Sequence, residues 1–449
     1  MSKNSIFYLV IFLEGFVLLS SELLAIRLMT PFVGAGTEVI AIIIAAVLMP
    51  LSIGYFYGGK KRSNIRNTLV RNFSHSIIFF TFGFSYLFLI YFFHLLNQLS
   101  ISNYLLQTIC YSLLFLVYPV YLLGQTIPLI SNYLSTNNIS SQTGKILCFS
   151  TLGSFAGSII TSLILMNLVG VHNTVISLIS ALIIMLGFIT KPKLSLLHLI
   201  VFSCLLLTLI FNNSIVLKKL NIVANNQYNT IYIFTKPDNT KILSINHSYS
   251  SQYNKNNSQQ FKYVKFINDL LPKKNKKILI IGAGGFTIGV NDTKNYYTYI
   301  DIDKDLKSIA EKYFLEKKLT TNKVFITMPA RAFVAHTKEK FDYIILDAYS
   351  NRMNMPQQLL TIEFFSKVKS LLTAKGVFVF NAIASPSFND TYSCKLDNTL
   401  RSVFTKITRQ IMSLPTIQNS SNILYIYFAN SLDNNETYTD LKNSYYTDK

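Results

Sequence analysis

Hydrophobic residues are distributed unevenly along this chain. Long apolar stretches fill the first part, up to about Asn212, whereas Lys, Asn, Asp and Tyr are frequent after it. A helix that crosses a bilayer requires about 20 mostly apolar residues. Stretches of this kind lie at about 5–29, 39–58, 76–96, 104–130, 146–168, 172–190 and 194–212. The pattern predicts a transmembrane helical domain over residues 1–212, with the lipid bilayer as its partner.

Basic residues predict how these helices are oriented. Five of them lie between Lys60 and Arg71, and Lys191 and Lys193 follow the sixth apolar stretch, whereas residues 30–38, 97–103 and 169–173 contain no Lys or Arg. Lys and Arg accumulate on the cytoplasmic side, so the N-terminus is expected inside a multi-pass protein of the plasma membrane. Seven crossings would then place the C-terminal half outside.

A cytoplasmic C-terminal half is nevertheless expected, and it requires that one crossing is miscounted. The long fourth stretch contains Pro119 and Pro128. Proline interrupts helices, and broken or re-entrant helices occur where they are buried in protein. We expect the miscount, if there is one, in this stretch.

Three ionisable residues, Glu14, Glu22 and Arg27, lie in or near the first apolar stretch. Ionisable groups inside a membrane are costly and often mark a substrate path. The alternative is structural, with Arg27 at the interface and Glu22 paired with it or facing the helix bundle. Gly153 and Gly157 have the spacing of a close helix-packing face.

Charge and cysteines exclude some functions. The net charge is +20, but no basic helix or aromatic RNA-binding motif accompanies it, so nucleic acid is not an expected partner. The four cysteines do not have the spacing of metal ligands, and no metal site is predicted.

Residues 213–271 predict a small β-domain and a linking helix. The segment from Tyr228 to Phe234 has the composition of a strand, residues 237–239 form a turn signal, and a second strand pattern runs from Ile242 to Ile245. An amphipathic helix follows at about 261–270.

Residues 272–449 alternate between strand and helix patterns. Predicted strands are Lys277–Ile281, Tyr297–Ile302, Val324–Thr327, Tyr343–Leu346 and Val377–Phe380, with helices at Asp305–Phe314 and Thr361–Leu372. This alternation is typical of a doubly wound parallel sheet of the Rossmann-like, methyltransferase type. Thr361 is the expected N-cap of its helix.

A glycine-rich turn follows the first of these strands. It contains Gly282, Gly284 and Gly285, and Asp301 ends the second strand. Glycines permit a tight turn and close approach of a ligand, and a carboxylate at this distance accepts the hydroxyls of a ribose. Thr287 replaces the third glycine of the dinucleotide pattern, which favours a nucleoside ligand; a turn without a ligand is the alternative.

Asp347 ends the fourth strand, where ligands bind in such sheets. Transfer of an alkyl group to an amine needs a base that takes the amine proton. Asp347 is the candidate base, or it holds the ammonium group by charge. The alternative is a structural cap on the next helix.

Together these segments resemble the spermidine/spermine synthase family. The resemblance lies in Gly282–Gly285, in Ile300–Asp303, in the run from Phe341 to Ser350, and in Pro356, Leu359–Thr361, Glu363–Phe365 and Gly376–Val377. The segment from Gln227 to Ser251 resembles the small N-terminal β-domain of that family. The membrane half is similar to the multi-spanning region fused to some bacterial members, with Ser21, Glu22, Arg27, Pro31, Gly34 and the stretch Gly54–Gly59.

The resemblance implies transfer of an aminopropyl group from decarboxylated S-adenosylmethionine to an amine acceptor, with no tightly bound cofactor. It implies Asp347 as the catalytic base and an adenosyl site that includes Asp301, Asp303 and Arg331 beside the glycines. The implied acceptor site contains Gln227, Tyr228, Tyr349 and Ser350. A homodimer is a further expectation.

Three departures from the family pattern leave other functions open. Pro329 replaces the acidic residue that reads the adenine, and Ser350 replaces a second carboxylate that holds the diamine. The family also has a Tyr-His-Glu stretch that helps bind substrate. It corresponds roughly to Tyr263–Lys265 here, so Lys265 stands in place of its carboxylate. Putrescine is therefore a doubtful acceptor. The alternatives are an S-adenosylmethionine-dependent methyltransferase, and a membrane transporter or sensor whose synthase domain has degenerated.

Overall fold

A computed structural model describes residues 3–134, 139–190, 196–256, 260–272, 274–349, 355–412 and 420–430. The chain forms two compact units. The first comprises residues 1–259 with 308–316 and 349–354, and the second comprises 260–307, 317–348 and 355–449.

The first unit begins with a helical region. Its helices are α1 (Lys3–Val33), α2 (Thr37–Lys60), α3 (Ile65–Gly83), α4 (Tyr86–Gln98), α5 (Tyr104–Ser112), α6 (Tyr118–Gly124), α7 (Thr126–Leu134), α8 (Ile139–Ile159), α9 (Met166–Leu168), α10 (Gly170–Ile189), α11 (Leu196–Phe211) and α12 (Ser214–Lys219). Among the described residues, six helical stretches are long and apolar enough to cross a membrane, and the bent pair α3 and α4 makes a seventh if it counts as one span.

The break in the helical region lies in the third predicted span and not in the fourth. A bend of 69° separates α3 from α4, and it interrupts the stretch predicted at 76–96. Residues 104–134 form one candidate span despite Pro119 and Pro128, because a π-helical turn at Leu113–Val117 precedes the first proline and the helix continues through it. Arg66 and Arg71 lie in α3, not in the preceding loop.

Glycines bring α1 and α8 into close contact, as their spacing predicted. A Cβ atom on Gly153 would overlap the carbonyl oxygen of Phe12, and one on Gly157 would overlap that of Phe16. The same contact buries Glu14 completely, and the Ser150 hydroxyl donates to its carboxylate at 3.3 Å. Small residues therefore determine how closely the two backbones approach.

A four-stranded antiparallel sheet completes the first unit. Its strands are β1 (Ile222–Asn225), β2 (Thr230–Thr235), β3 (Lys241–Ile245) and β4 (Ser248–Tyr253), hydrogen-bonded in that order. The predicted antiparallel sheet is present. Its contacts with the helical region place it in the same compact unit, whereas the predicted division separated it from the helices at residue 212.

Arg27 attaches this sheet to the end of α1. Its Nε donates to the Asn226 carbonyl at 2.7 Å, and Nη2 donates to Asn225 Oδ1 at 2.9 Å and Thr230 Oγ1 at 3.2 Å. Arg27 is thus bound to the β1–β2 turn. Charge-assisted hydrogen bonds of this kind are stronger than neutral ones.

The second unit contains a seven-stranded mixed sheet. Its strands are β5 (Lys277–Ile281), β6 (Tyr296–Asp301), β7 (Lys323–Thr327), β8 (Phe341–Leu346), β9 (Leu372–Ala384), β10 (Thr408–Ile411) and β11 (Ser421–Phe428) in the order β10-β11-β9-β8-β5-β6-β7. Helices of the same part of the chain are α13 (Lys262–Leu270), α14 (Leu306–Ile309) with a π-helical turn (Ala310–Phe314), α15 (Ala330–His336), α16 (Ile362–Ser370) and α17 (Thr391–Val403).

The five predicted strands are present and parallel, but the sheet is not purely parallel. β11 pairs antiparallel with β9, and β10 pairs antiparallel with β11. The sequence-based prediction omitted both strands together with α15 and α17. As predicted, Thr361 caps α16, and its side chain accepts from the Phe364 amide.

We predict that Gly153→Leu lowers the stability of the purified chain by about 1–3 kcal/mol, because a larger side chain forces α1 and α8 apart. Gly144→Leu is the matched control, since a Cβ atom at Gly144 in the same helix meets no atom within 4 Å. Thermal unfolding in detergent measures both. Equal melting temperatures for the two variants would contradict the packing role.

Candidate functional site

The carboxyl end of the central strand β5 forms the centre of the candidate site. β5 lies between β6 and β8, so Asp301 at the end of β6 and Asp347 after β8 flank the turn that starts at Gly282. Gly282 has a φ of +95°, and a Cβ atom there would overlap the carbonyl oxygen of Asp347. Only glycine fits this conformation and this close approach.

Asp301 fastens the glycine-rich turn to β6. Its Oδ2 accepts from the Ala283 amide at 3.0 Å, and its Oδ1 accepts from the Asp303 amide at 3.1 Å. Burial raises the pKa of Asp301 to about 6, although both backbone donors act in the opposite direction. A partly dehydrated carboxylate beside a glycine turn has the acceptor chemistry that ribose hydroxyls require.

Asp347 is held by two neutral donors. The Tyr263 hydroxyl donates to Oδ2 at 3.0 Å, and Asn381 Nδ2 donates to Oδ1 at 2.9 Å. Burial raises the pKa of Asp347 above its usual range, and these two hydrogen bonds lower it. A buried carboxylate with a raised pKa at the end of a central strand is a better proton acceptor than an exposed one.

A second asparagine fixes the direction of this contact. Asn422 Nδ2 on β11 donates to Asn381 Oδ1 at 3.0 Å. With its oxygen occupied in this way, the Asn381 amide presents its NH₂ group to Asp347. In the antiparallel pairing of β9 with β11, Asn381 lies opposite Leu424, so Asn422, two residues from Leu424, is a diagonal neighbour of Asn381 on the same face of the sheet.

Sequence reasoning did not find Asn381 or Asn422, because both depend on the pairing of β11 with β9. It named Tyr263 only as part of the stretch that ends at Lys265. The one available signal was that Asn381 is a polar residue within the long apolar strand β9.

Side chains at α13 hold the other side of the glycine turn. Asn268 Nδ2 donates to the Thr287 carbonyl at 3.3 Å, and its Oδ1 accepts from the Gly289 amide at 2.7 Å. Gln260 Nε2 donates to the same carbonyl at 3.0 Å. The amphipathic helix predicted at 261–270 therefore positions both Tyr263 and the turn.

The other predicted adenosyl-site residues have different surroundings. Gly284 has a φ of +49° and lies in the same turn as Gly285. Asp303 is fully buried, and its Oδ1 accepts from the Asp305 amide at 3.0 Å. Arg331 Nη1 donates to the Gln358 carbonyl at 2.5 Å and to Thr361 Oγ1 at 3.3 Å.

Three of the predicted acceptor residues belong to the first unit, whereas Asp347 belongs to the second. Gln227 and Tyr228 lie in the turn between β1 and β2 of the first unit, and the Tyr228 amide donates to Asn226 Oδ1 at 2.9 Å. Tyr349 is also grouped with the first unit. Ser350 lies outside the described residues.

The mixed sheet, the glycine turn and the two flanking carboxylates define a Rossmann-type domain, in which ligands bind at the carboxyl ends of the strands. Residues 258–438 match the model of the spermine/spermidine synthase domain. This part of the chain is therefore similar to the spermine/spermidine synthase domain, as the sequence resemblance indicated.

Curated relatives agree with this assignment. The chain is 30% identical over 174 residues to a polyamine aminopropyltransferase of Vibrio vulnificus, a match that covers 37% of this chain and 55% of the relative. It is 31% identical over 160 residues to a polyamine aminopropyltransferase of Sulfurisphaera tokodaii, covering 33% of this chain and 52% of the relative. The chain thus spans about half the length of the curated relatives it matches.

Solved structures of similar proteins include a probable spermidine synthase from Corynebacterium glutamicum, with a TM-score of 0.40, 19% identity and coverage of 47% of this chain and 81% of that one. The spermidine synthase of Thermotoga maritima has a TM-score of 0.39 and 18% identity, and the match covers 46% of this chain and 73% of that one.

We predict that Gly282→Ala destabilises the protein by at least about 2 kcal/mol, because a left-handed backbone conformation costs an alanine about 1–2 kcal/mol and the Asp347 carbonyl must also move. Gly187→Ala serves as control, since a Cβ atom there meets nothing within 4 Å. Urea unfolding measures the difference. A variant as stable as the control would show that the turn tolerates a side chain.

Proposed function

We propose that this protein is a membrane-bound aminopropyltransferase, which transfers an aminopropyl group from decarboxylated S-adenosylmethionine to an amine. The observation that carries this proposal is the position of Asp301 and Asp347 on either side of the turn at Gly282 in a spermine/spermidine synthase domain.

Exposed apolar surface supports the membrane location. Only 28% of the most apolar window of Thr37–Lys60 and 22% of that of His198–Lys219 are buried within the protein. The side chains of Leu152 and Phe155 on α8, and that of Leu163 in the π-helical stretch that follows it, are all more than half exposed. Soluble proteins rarely expose large contiguous apolar patches, whereas lipid solvates such surfaces.

The chemistry assigns one role to each carboxylate. Asp301 would accept the ribose hydroxyls of the adenosyl group while the backbone of the glycine turn approaches the nucleoside. The acceptor amine attacks the methylene carbon beside the sulfonium, a C–N bond forms, the C–S bond breaks, and methylthioadenosine leaves as a neutral thioether. Asp347 would take the proton that the amine loses.

The acceptor is proposed to be an amine with less positive charge than a diamine. Lys265 lies where the family pattern has a carboxylate, and Ser350 replaces another. Hydrogen bonds to charged groups contribute about 1.5–3 kcal/mol each. A dication would lose two such contacts here, whereas a monoamine needs only Asp347.

Methyl transfer from S-adenosylmethionine is the alternative reaction on the same fold. The family match and the small sheet that precedes β5 favour aminopropyl transfer. The full chain should be tested with decarboxylated S-adenosylmethionine, S-adenosylmethionine and methylthioadenosine. A fragment that starts at residue 213 is unsuitable, because it removes Arg27 from the sheet it binds.

We predict that Asp301→Ala weakens methylthioadenosine binding at least about tenfold, a loss of ~1.4 kcal/mol. Isothermal titration of the full chain in detergent measures this. The Asp305→Ala variant is the control, because Asp305 lies beyond the turn in the same loop. Equal affinity of the Asp301 variant and the parent would contradict the adenosyl site.

We predict that Asp347→Asn abolishes turnover and leaves methylthioadenosine binding nearly unchanged, because the substitution keeps the shape of the side chain and removes the base. Loss of a positioned general base costs about 10²–10⁴-fold in rate. Transfer to a panel of mono- and diamines, followed by mass spectrometry, is the measurement. Undiminished transfer by the variant would refute the catalytic role.

We predict that Tyr263→Phe moves the acidic limb of the kcat/KM profile to higher pH, because the Tyr263 hydroxyl lowers the pKa of Asp347. The base must be ionised, and loss of one donor raises the pKa of Asp347, so activity falls off at a higher pH than in the parent. Tyr296→Phe makes the same chemical change at an exposed position and should leave the limb in place. An unshifted limb in Tyr263→Phe would show that this hydrogen bond does not tune the base.

A further inference from the structure

The two ends of the helical region are distinguished by contacts within the first unit. At one end, which we call the basic end, Gln142 of α8 donates to the Tyr8 hydroxyl of α1 at 2.9 Å. Asn132 of α7 donates to the Lys61 carbonyl after α2 at 3.0 Å. Arg66 of α3 donates to the Ile189 carbonyl of α10 at 2.5 Å.

At the opposite end, which we call the sheet end, the helices meet the small β-sheet. Arg27 of α1 binds the β1–β2 turn. The Tyr86 hydroxyl at the start of α4 is hydrogen-bonded to that of Tyr232 on β2, and Phe32 lies 5.2 Å from His247 between ring centroids. Gly170, at the start of α10, lies against the Asn225 carbonyl.

Following the chain between these ends gives an odd number of crossings. α1 runs from the basic end to the sheet end, α2 returns, and α3 crosses again before the bend. The stretch 104–134 returns to the basic end at Asn132, residues 140–168 cross to the sheet end, and α10 returns to the basic end at Ile189. The last crossing is α11, which ends at the sheet end beside Thr81 of α3. The Thr81 hydroxyl accepts from that of Thr208 at 3.3 Å.

Helix α4 does not add a crossing. Both Tyr86 at its start and Asn97 near its end belong to the sheet end, because Asn97 Oδ1 accepts from Gln107 of α5 at 2.8 Å and α5 begins the return. With 13 residues it spans about 20 Å at 1.5 Å per residue, and the bend of 69° turns it away from α3.

The two ends differ in their number of Lys and Arg residues. The basic end holds six cations, Lys60, Lys61, Arg62, Arg66, Arg71 and Lys145. At the sheet end, residues 34–36, 84–103 and 169 include no Lys or Arg, and the cations next to the crossings are Arg27, Lys218 and Lys219. Such an asymmetry places the basic end in the cytoplasm. After residue 219 no described helix is long and apolar enough to return across the membrane.

We infer that the spermine/spermidine synthase domain lies on the non-cytoplasmic side of the membrane, and that its site takes both substrates from there. This inference rests on the membrane location proposed above. An adenosyl sulfonium is a cation made by cytosolic chemistry and does not cross a bilayer unaided. A transport step that carries the adenosyl donor across the membrane must therefore precede the reaction.

Cysteine accessibility in intact cells tests this sidedness. The four native cysteines, Cys110, Cys148, Cys204 and Cys394, are replaced by serine or alanine, and single cysteines are introduced by Ser63→Cys at the basic end, Ser102→Cys at the sheet end and Asn398→Cys on α17. All three positions are exposed. A membrane-impermeant maleimide is added to intact cells and, separately, to permeabilised cells. If the Asn398→Cys variant does not fold, Ser370→Cys takes its place.

The expected result is labelling of Ser102→Cys and Asn398→Cys in intact cells, with at least about tenfold less labelling of Ser63→Cys until the membrane is permeabilised. Labelling of Ser63→Cys together with protection of Asn398→Cys would overturn the inference, as would equal labelling of the two. Recovery of the chain in the soluble fraction would instead refute the membrane location. Methylthioadenosine titration of the purified chain is independent of sidedness, so it tests the proposed activity separately.

Discussion

The close approach of Gly282 to the Asp347 main chain is the constraint on which the site depends. Neighbouring parallel strands end at the same edge of the sheet, and the chain leaving β5 must turn within the space between the ends of β6 and β8. The absence of a side chain at Gly282 lets it do so. The positions of Asp301 and Asp347 both follow from this turn, because each is attached to a strand that borders it.

Hydrogen bonding determines how two similar carboxylates differ. Asp301 accepts from backbone amides, which cannot rotate away, so its oxygens are held as part of the turn. Asp347 accepts from side chains, Tyr263 and Asn381, which can rotate away when a ligand binds. Donors that can be displaced leave Asp347 free to exchange a proton, whereas Asp301 is suited to binding.

Local patterns in the sequence were sufficient for the parallel strands, the glycine turn, the N-cap at Thr361 and the close contact at Gly153. Each of these depends on a few neighbouring residues or on a regular spacing. The antiparallel strands β10 and β11, and with them the contact between Asn422 and Asn381, depend on pairing between residues 41 positions apart.

The bend between α3 and α4 was missed because the apolar pattern continues through it, and the proline-containing stretch was suspected instead. The division of the chain also differed from expectation, because Arg27 and the sheet it binds are 198 or more residues apart.

The segment 308–316 belongs to the first unit although it lies within the sequence of the Rossmann-type domain. Lys241 of β3 forms an ion pair with Glu316 at 2.5 Å, and Phe314 packs against Tyr253 with ring centroids 6.2 Å apart. Domains generally fold from the N-terminus as they are synthesised. The outer face of the small sheet therefore stays incomplete until the ribosome has made about 60 further residues beyond Tyr253. A nascent chain paused before this point lacks the side chains that pack against Tyr253 and pair with Lys241.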